Sequence, residues 1–225
     1  MANKDWTGSK ASIFKCLGAS NHTEHEREEF DFYATSPEAA KWLLKIEPEI
    51  SNIYECFVGE GHLAEVFRKA NKLRAVSDLI DRGYYPEGIP YKYPLDFFKL
   101  KKSLKNCSIV SNPPYKFAKE AVKHSLDLVQ EGYYVALFMK LTFLEGKERK
   151  KFFAENPPIR VWVSSSRIPC AKNGEFYKPK KNKDGEVVLS ANGEPAMTKE
   201  SSAACYAWFI WQKGYKGPTE LKWFN

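Results

Sequence analysis

The sequence contains no long hydrophobic run, and none of its apolar stretches approaches the ~20 residues that a transmembrane helix needs. The amino-terminal stretch is polar and does not have the apolar core of a secretory signal peptide. The five cysteines are odd in number, widely separated and include no Cys-x-x-Cys pair. This pattern argues against a disulfide framework and favours reduced thiols, so we expect a cytoplasmic protein.

A metal centre is not indicated either. Cys16, His22 and His25 lie near one another in the sequence, but their spacing fits no standard zinc pattern. We expect residues 1–30 to form a polar arm and the chain to bind no metal.

Positive charge is what the chain has in excess. The formal net charge is +7 over 225 residues, which suggests a polyanionic partner, although solubility alone explains many such balances. The length suits one α/β domain with a substantial core, or a domain that carries a small insertion.

The most informative stretch is Ser111-Asn112-Pro113-Pro114-Tyr115. The apolar run 107–110 before it predicts a buried strand, and apolar residues over 117–129 recur at helical spacing. The first proline drives Asn112 towards an extended conformation. Asn112 and Tyr115 are therefore expected on a stiff turn at the carboxyl end of a parallel strand, where open α/β sheets bind ligands.

Such a turn suits methylation of an exocyclic amino group, whose nitrogen lone pair is delocalised into an aromatic ring. The amide oxygen of Asn112 and the carbonyl of Pro113 could accept hydrogen bonds from the amine, while Tyr115 stacks on the planar substrate. Pro114 stiffens the same turn. The alternative is that Asn112 only caps the following helix. The complete string between a strand and a helix favours the catalytic interpretation.

A second pattern indicates nucleotide binding. A predicted strand over 53–57 leads into Gly59 and Gly61, which allow a ligand to approach the backbone beside a helix N-terminus. Asp78 ends the next predicted strand about 20 residues after Gly59, the separation at which an acidic side chain reaches ribose hydroxyls. Asp96 either faces the same crevice or caps the helix that begins nearby, and the sequence does not favour one role.

The long polar excursion over about 167–202 separates the last two predicted strands. It has strong turn signals, and it is expected to be partly ordered at most without a partner. Its basic residues are expected to contact phosphates, and they are Lys172, Lys178, Lys180, Lys181 and Lys183. Phe176 and Tyr177 lie among them and could stack on bases. Acidic residues such as Glu175 dilute the charge, so a merely solvated loop is the alternative.

Together these motifs resemble the phage- and prophage-type DNA adenine-N6 methyltransferases, within the class I S-adenosylmethionine-dependent methyltransferases. The segments that carry the resemblance are 21–37, 55–63, 77–84, 112–115, 143–146 and 207–211. Cys56 departs from the family pattern, where proline or another small residue is common. No sizeable target-recognition domain is present in the sequence, which leaves the target site open.

The resemblance implies a seven-stranded, mostly parallel Rossmann-like sheet with a carboxyl-terminal antiparallel hairpin, and a methyltransferase domain over 31–225 with the basic insertion inside it. It implies S-adenosylmethionine as cofactor and a DNA adenine, flipped or unpaired, as substrate. The implied cofactor-binding residues are Tyr33, Thr35, Glu55, Phe57, Gly59, Gly61, Asp78, Asp96 and Asn112. Of these, Asp78 would bind the ribose, Asp96 the cofactor's adenine, and Tyr33 and Thr35 would cover the methionine end.

Other functions remain open from the sequence. Related enzymes methylate RNA adenines or protein glutamine side chains, and a non-catalytic nucleic-acid-binding relative would keep the same fold. Cytosine-C5 methylation through Cys170 is rejected, because this cysteine follows the sixth strand and lies in the excursion. If a phage encodes the chain, the compartment is the cytoplasm of the host cell.

Overall fold

The protein is described by a computed structural model, which covers residues 34–171, 174–200 and 204–225. Several sequence predictions lie outside the described residues: the polar arm with Cys16, His22 and His25, the cofactor-binding role of Tyr33, and the phosphate contact of Lys172.

Twelve strands and four α-helices make up the described fold. The strands are β1 (Ala34–Thr35), β2 (Ile53–Glu55), β3 (Leu73–Ser77), β4 (Tyr91–Lys92), β5 (Ser108–Ser111), β6 (Tyr134–Lys140), β7 (Arg160–Ser164), β8 (Cys170–Ala171), β9 (Tyr177–Pro179), β10 (Met197–Lys199), β11 (Tyr206–Gln212) and β12 (Glu220–Phe224). The helices are α1 (Pro37–Ile46), α2 (His62–Lys69), α3 (Ala118–Leu128) and α4 (Lys147–Glu155). Among the described residues, no helix combines the length and the apolarity needed to cross a bilayer.

The central sheet has eight strands in the spatial order β12-β7-β11-β6-β5-β2-β3-β4. All neighbouring pairs are parallel except those of β11, which runs antiparallel to both β6 and β7. The Rossmann-like class is thus as predicted, with one strand more than the seven expected. The sequence placed neither edge strand individually, because both residues of β4 are exposed and Phe224 is the single buried residue of β12.

The inner strands β2, β5, β6 and β11 are buried on both faces, because their alternate side chains contribute to two separate cores. Ala136 and Phe138 of β6 pack on the side covered by α1 and α2. Leu137 and Met139 pack on the opposite side, with α3 and α4. This three-layer arrangement fixes the carboxyl ends of β2, β3 and β5 next to one another.

The excursion is more regular than the sequence predicts. β9 and β10 pair antiparallel, and the chain between them closes two tight turns, at Asn182–Glu186 and Ser190–Glu194. We call residues 176–200, which include these strands and turns, the β9–β10 ribbon. Gly185 and Gly193 adopt positive φ angles of 87° and 82° in these turns. The Asp-Gly and Asn-Gly pairs therefore fold the excursion back on itself locally, without a partner.

Candidate active site

A cavity of about 300 Å³ opens at the carboxyl ends of β2, β3 and β5. It brings together most of the residues singled out from the sequence, namely Thr35, Glu55, Phe57, Asp78, Asp96, Asn112, Pro113, Pro114 and Tyr115. Gly59 and Gly61 shape the loop whose other residues, Val58 and Glu60, line the wall. The two sequence patterns, separated by about 50 residues along the chain, thus meet around one space.

The Asn112 turn, which we define as residues 111–115, begins at the last residue of β5. Ser111 is fully buried, and its hydroxyl accepts a hydrogen bond from the Phe57 N–H at 3.2 Å, which joins this turn to the end of β2. The Asn112 amide nitrogen donates to the Thr35 hydroxyl at 2.6 Å. After the prolines, a helical turn over Tyr115–Phe117 leads into α3. The side chain of Asn112 therefore has a defined partner on β1.

Tyr115 is anchored through its hydroxyl. It donates to the Tyr206 hydroxyl at 3.0 Å, and the Lys140 ammonium lies 4.3 Å from the centre of its ring. Burial raises the pKa of Tyr115 well above its ordinary value, so the phenol stays neutral. Sequence reasoning missed Tyr206 and Lys140, because β11 and β6 were recognisable only as buried strands.

β1 and β8 pair across the site, and we call this pair the β1–β8 strap. Thr35 is opposite Cys170 in the pairing, and the Ser36 N–H donates to the Pro169 carbonyl at 3.1 Å. Ser36 also caps α1, because its side-chain oxygen accepts from the Glu38 N–H. Cys170, at the start of the excursion, therefore lies beside Thr35 of the cavity wall, with its sulfur 4.0 Å from the Thr35 oxygen.

The chemical state of Cys170 still argues against a nucleophilic role. Burial raises the pKa of the Cys170 thiol to about 11, which keeps it protonated near neutral pH. Cytosine-C5 chemistry needs a thiolate, so the rejection of that mechanism stands for a chemical reason. The chain position is also as expected, because Cys170 follows β7 rather than β5, although β8 folds back to pair with β1.

The glycine loop is held by Asp78. One carboxylate oxygen accepts from the Gly59 N–H at 2.8 Å, and the other accepts from the Ile80 N–H at 3.1 Å. Gly61 has a φ angle of 82°, and a Cβ there would lie 2.2 Å from the ring of Tyr84. The loop thus requires glycine at this position, and Asp78 keeps further lone pairs for a ligand.

Glu55 is the most unusual group in the cavity wall. It is 1% exposed, and no hydrogen-bond partner for its Oε2 exists among the described residues. Burial raises the pKa of this carboxyl well above its ordinary value, and the charge of Asp78 adds to the effect. A buried acid without a partner is costly, so this position suits a ligand that brings a cation or a hydrogen-bond donor.

Asp96 has both of the roles that the sequence left open. Its Oδ1 accepts from the Phe98 N–H at 3.0 Å and caps the helical turn Phe97–Lys99, while the residue also lines the cavity. Phe57 packs edge-on against Phe97 beside it, with ring centres 5.0 Å apart. This end of the cavity is consequently aromatic, with a carboxylate at its border.

The β9–β10 ribbon contacts the cavity wall at its base. Phe176 is 7% exposed and packs edge-on against the His62 ring at 5.1 Å, so it is not available to stack on a base. Tyr177 is 51% exposed. Lys178 forms an ion pair with Glu200 at 2.8 Å. Lys199 of β10 pairs with Glu38 at 2.7 Å. Within the described residues, no ion pair involves Lys180, Lys181 or Lys183, which follow β9.

No protein-family model and no curated protein matches the chain in sequence. Solved structures do match it in fold. A proposed RNA methyltransferase from Pyrococcus horikoshii aligns with a TM-score of 0.53 at 9% identity, over 92% of this chain and 98% of that one. A proposed class I S-adenosylmethionine-dependent methyltransferase from Listeria monocytogenes aligns with a TM-score of 0.52 at 11% identity, over 96% and 70%.

A third match is the type IIG restriction endonuclease BpuSI, with a TM-score of 0.50 at 17% identity. It covers 81% of this chain but only 26% of that longer protein. At such identities the likeness concerns the fold. The chain therefore has the Rossmann-like fold of class I methyltransferases, with a candidate site at the edge of the sheet where such folds bind ligands.

Proposed function

We propose that the protein transfers a methyl group from S-adenosylmethionine to the N6 amino group of adenine in DNA. The observation that carries the proposal is the Asn112 turn, with its Asn-Pro-Pro-Tyr string, on the wall of the cavity that the glycine loop also borders. Amino-directed methyltransferases have this string, and it follows a buried strand here as the chemistry requires. The matching fold supports the same reaction class.

The residues around the cavity fit the cofactor, which when bound supplies an electrophilic methyl group on sulfur. Asp78 offers acceptors to the ribose hydroxyls, and Asp96 offers one to the adenine amino group. The lone carboxyl of Glu55 suits the positively charged amino group of the methionine portion. Gly59 and Gly61 leave room for that portion near the backbone.

The Asn112 turn would act on the second substrate. The Asn112 amide oxygen and the Pro113 carbonyl accept hydrogen bonds from the two N–H groups of the target amine, which localises the nitrogen lone pair for attack. Because Lys140 lies over one face of the Tyr115 ring, the target base stacks on the other face. No strong base is needed, since the methylated amine is acidic enough to lose its proton to water.

A nucleic acid is favoured over a protein side chain by the basic groups near this wall. Lys140 lies beside Tyr115, and the ribbon adds Lys180, Lys181 and Lys183, which form no ion pair within the described residues. A target adenine must leave the duplex to enter the cavity, at a cost of a few kcal/mol. Methylation of RNA adenine uses the same residues and is the second candidate, because the basic surface does not distinguish the two polymers.

The experiment is incubation with tritiated S-adenosylmethionine and, in separate reactions, DNA, RNA or protein. Nucleoside analysis of labelled DNA should give N6-methyladenine, and Asn112→Ala should give almost none. Label in RNA alone would show that RNA adenine, rather than DNA adenine, is the substrate. Label in protein alone, or turnover by Asn112→Ala equal to wild type, would contradict it.

A further inference from the structure

We propose that Thr35 is a positioning residue for Asn112, and that its hydroxyl holds the amide nitrogen so that the amide oxygen faces the target amine. This inference rests on the proposed function. It gives Thr35 a different role from the one implied by the family resemblance, in which the residue covers the methionine end of the cofactor.

The two ends of the Asn112 side chain differ in their hydrogen-bonding chemistry. An amide has a donor end and an acceptor end, and rotation by 180° exchanges them. Only the acceptor end can receive a hydrogen of the target amine, whereas an amide NH2 turned towards that amine would oppose donor to donor. The 2.6 Å hydrogen bond from the Asn112 nitrogen to the Thr35 oxygen selects the productive orientation.

The Thr35 oxygen also contacts the Cys170 thiol. The Cys170 thiol lies 4.0 Å away on the opposite side of the strand pairing, and it is protonated because burial raises its pKa to about 11. A protonated thiol is a weak donor, so it also points a hydrogen at this oxygen. The Thr35 oxygen has two lone pairs, so it can accept from the thiol and from the Asn112 amide nitrogen at the same time.

The position of Thr35 is fixed by the backbone around it. The residue is 4% exposed and is held by backbone pairing in the β1–β8 strap, between the cap of α1 and β8. These contacts come from the protein itself. The hydroxyl can thus orient Asn112 before any ligand binds, which is the preorganisation that an acceptor group in a transition state needs.

The test compares Thr35→Val, which keeps the shape and removes the hydroxyl, with Thr35→Ser, which keeps the hydroxyl. Thr35→Val should lower the kcat of methyl transfer about tenfold, the scale of one hydrogen bond, and leave the Kd for S-adenosylmethionine within about twofold. Thr35→Ser should keep most of the wild-type kcat. Thr219→Val is a matched control, because that hydroxyl, just before β12, donates to the Pro158 carbonyl and the residue does not line the cavity.

A second readout does not depend on turnover. In the cofactor-free protein, the Asn112 side-chain NH2, identified in NMR spectra by its loss in Asn112→Asp, should exchange with solvent about tenfold faster in Thr35→Val than in wild type. Thr35→Ser should behave as wild type. Unchanged exchange, or an unchanged kcat with a raised cofactor Kd, would overturn the positioning role. If wild type transferred no methyl group, the proposed function would fail while the exchange rates still decided the orientation of the amide.

Discussion

The Asn112 turn and the β9–β10 ribbon are built in opposite ways. All four residues of β5, which leads into the turn, are buried, and the turn is joined to β2, β1 and β11 by hydrogen bonds. All six residues of β9 and β10 are exposed. The ribbon is fastened to the body by Phe176 on His62 and by an ion pair of Lys199 with Glu38 at 2.7 Å.

This difference separates two tasks. A group that accepts a hydrogen bond in a transition state must be held within a fraction of an ångström, which only packed strands and helices provide. A surface that holds a flexible polyanion needs charge and reach, and exposed loops supply both. We expect substitutions in the turn to change the chemical step and substitutions in the ribbon to change substrate affinity alone.

The strongest test of this separation is Asn112→Ala. It removes the acceptor for the target amine, and we expect methyl transfer to fall at least about a hundredfold, the scale of losing one preorganised polar group. Cofactor affinity, measured by calorimetric titration, should change little. Asn192→Ala, in an exposed turn of the ribbon, should keep the wild-type kcat at saturating DNA. Equal effects of the two substitutions would abolish the distinction.

Asp78→Ala should have the next largest effect, on the cofactor rather than on the chemical step. We expect the binding free energy of S-adenosylmethionine to weaken by roughly 1.5–3 kcal/mol, the range for hydrogen bonds to a charged group. Calorimetric titration measures it. Asp81→Ala is the matched control, since that carboxylate accepts from Gly83 and Tyr85 outside the cavity. Wild-type affinity in a folded Asp78→Ala protein would leave Asp78 with only its role in holding Gly59.

Because Glu55 is buried, we expect the stability of the cofactor-free protein to depend on pH. Its folded-state pKa is raised above the ordinary 4.5, so the folded protein retains a proton that the unfolded chain releases. Stability should therefore fall as the pH rises from about 4.5 through the raised pKa, with a slope of up to ~1.4 kcal/mol per pH unit from this group. Glu55→Gln should remove that contribution in denaturant melts, whereas Glu148→Gln, at a side chain 86% exposed, should not.

The sequence predicted the parts of the site that are local in the chain. The Asn112 turn was visible because the hydrophobic period changes from that of a strand to that of a helix around two prolines. The link between Gly59 and Asp78 was visible because a fixed strand–loop–helix–strand unit separates them. The turns of the ribbon were visible as Asp-Gly and Asn-Gly pairs, although their ability to order the excursion was underestimated.

The contacts that the sequence did not predict join distant segments. Cys170 lies beside Thr35 although 135 residues separate them, and Tyr206 bonds Tyr115 across 91 residues. Both contacts depend on how β8 and β11 are arranged against the carboxyl edge of the sheet. Nothing in the local pattern of either residue distinguishes it from an ordinary buried side chain, so only the folded topology identifies it.

The smallest expected effect lies in the ribbon, where Lys180, Lys181 and Lys183 are replaced together by alanine. Lys178 is left in place, because removing it would leave Glu200 without its partner. Each lysine that contacts a phosphate contributes about 0.9 to the slope of log affinity against log salt concentration. The variant should bind DNA of any sequence more weakly, with a salt slope lower by up to about 2.7 and an unchanged cofactor Kd.

Gel-shift titrations at several salt concentrations measure that slope directly. A charge-matched control replaces Lys101, Lys102 and Lys105, which are exposed in the loop before β5 and do not line the cavity. Since both variants lose the same net charge, a general electrostatic effect would weaken DNA binding equally in the two. A lower slope in the ribbon variant alone would assign the phosphate contacts to the ribbon, and equal slopes would place them elsewhere on the protein.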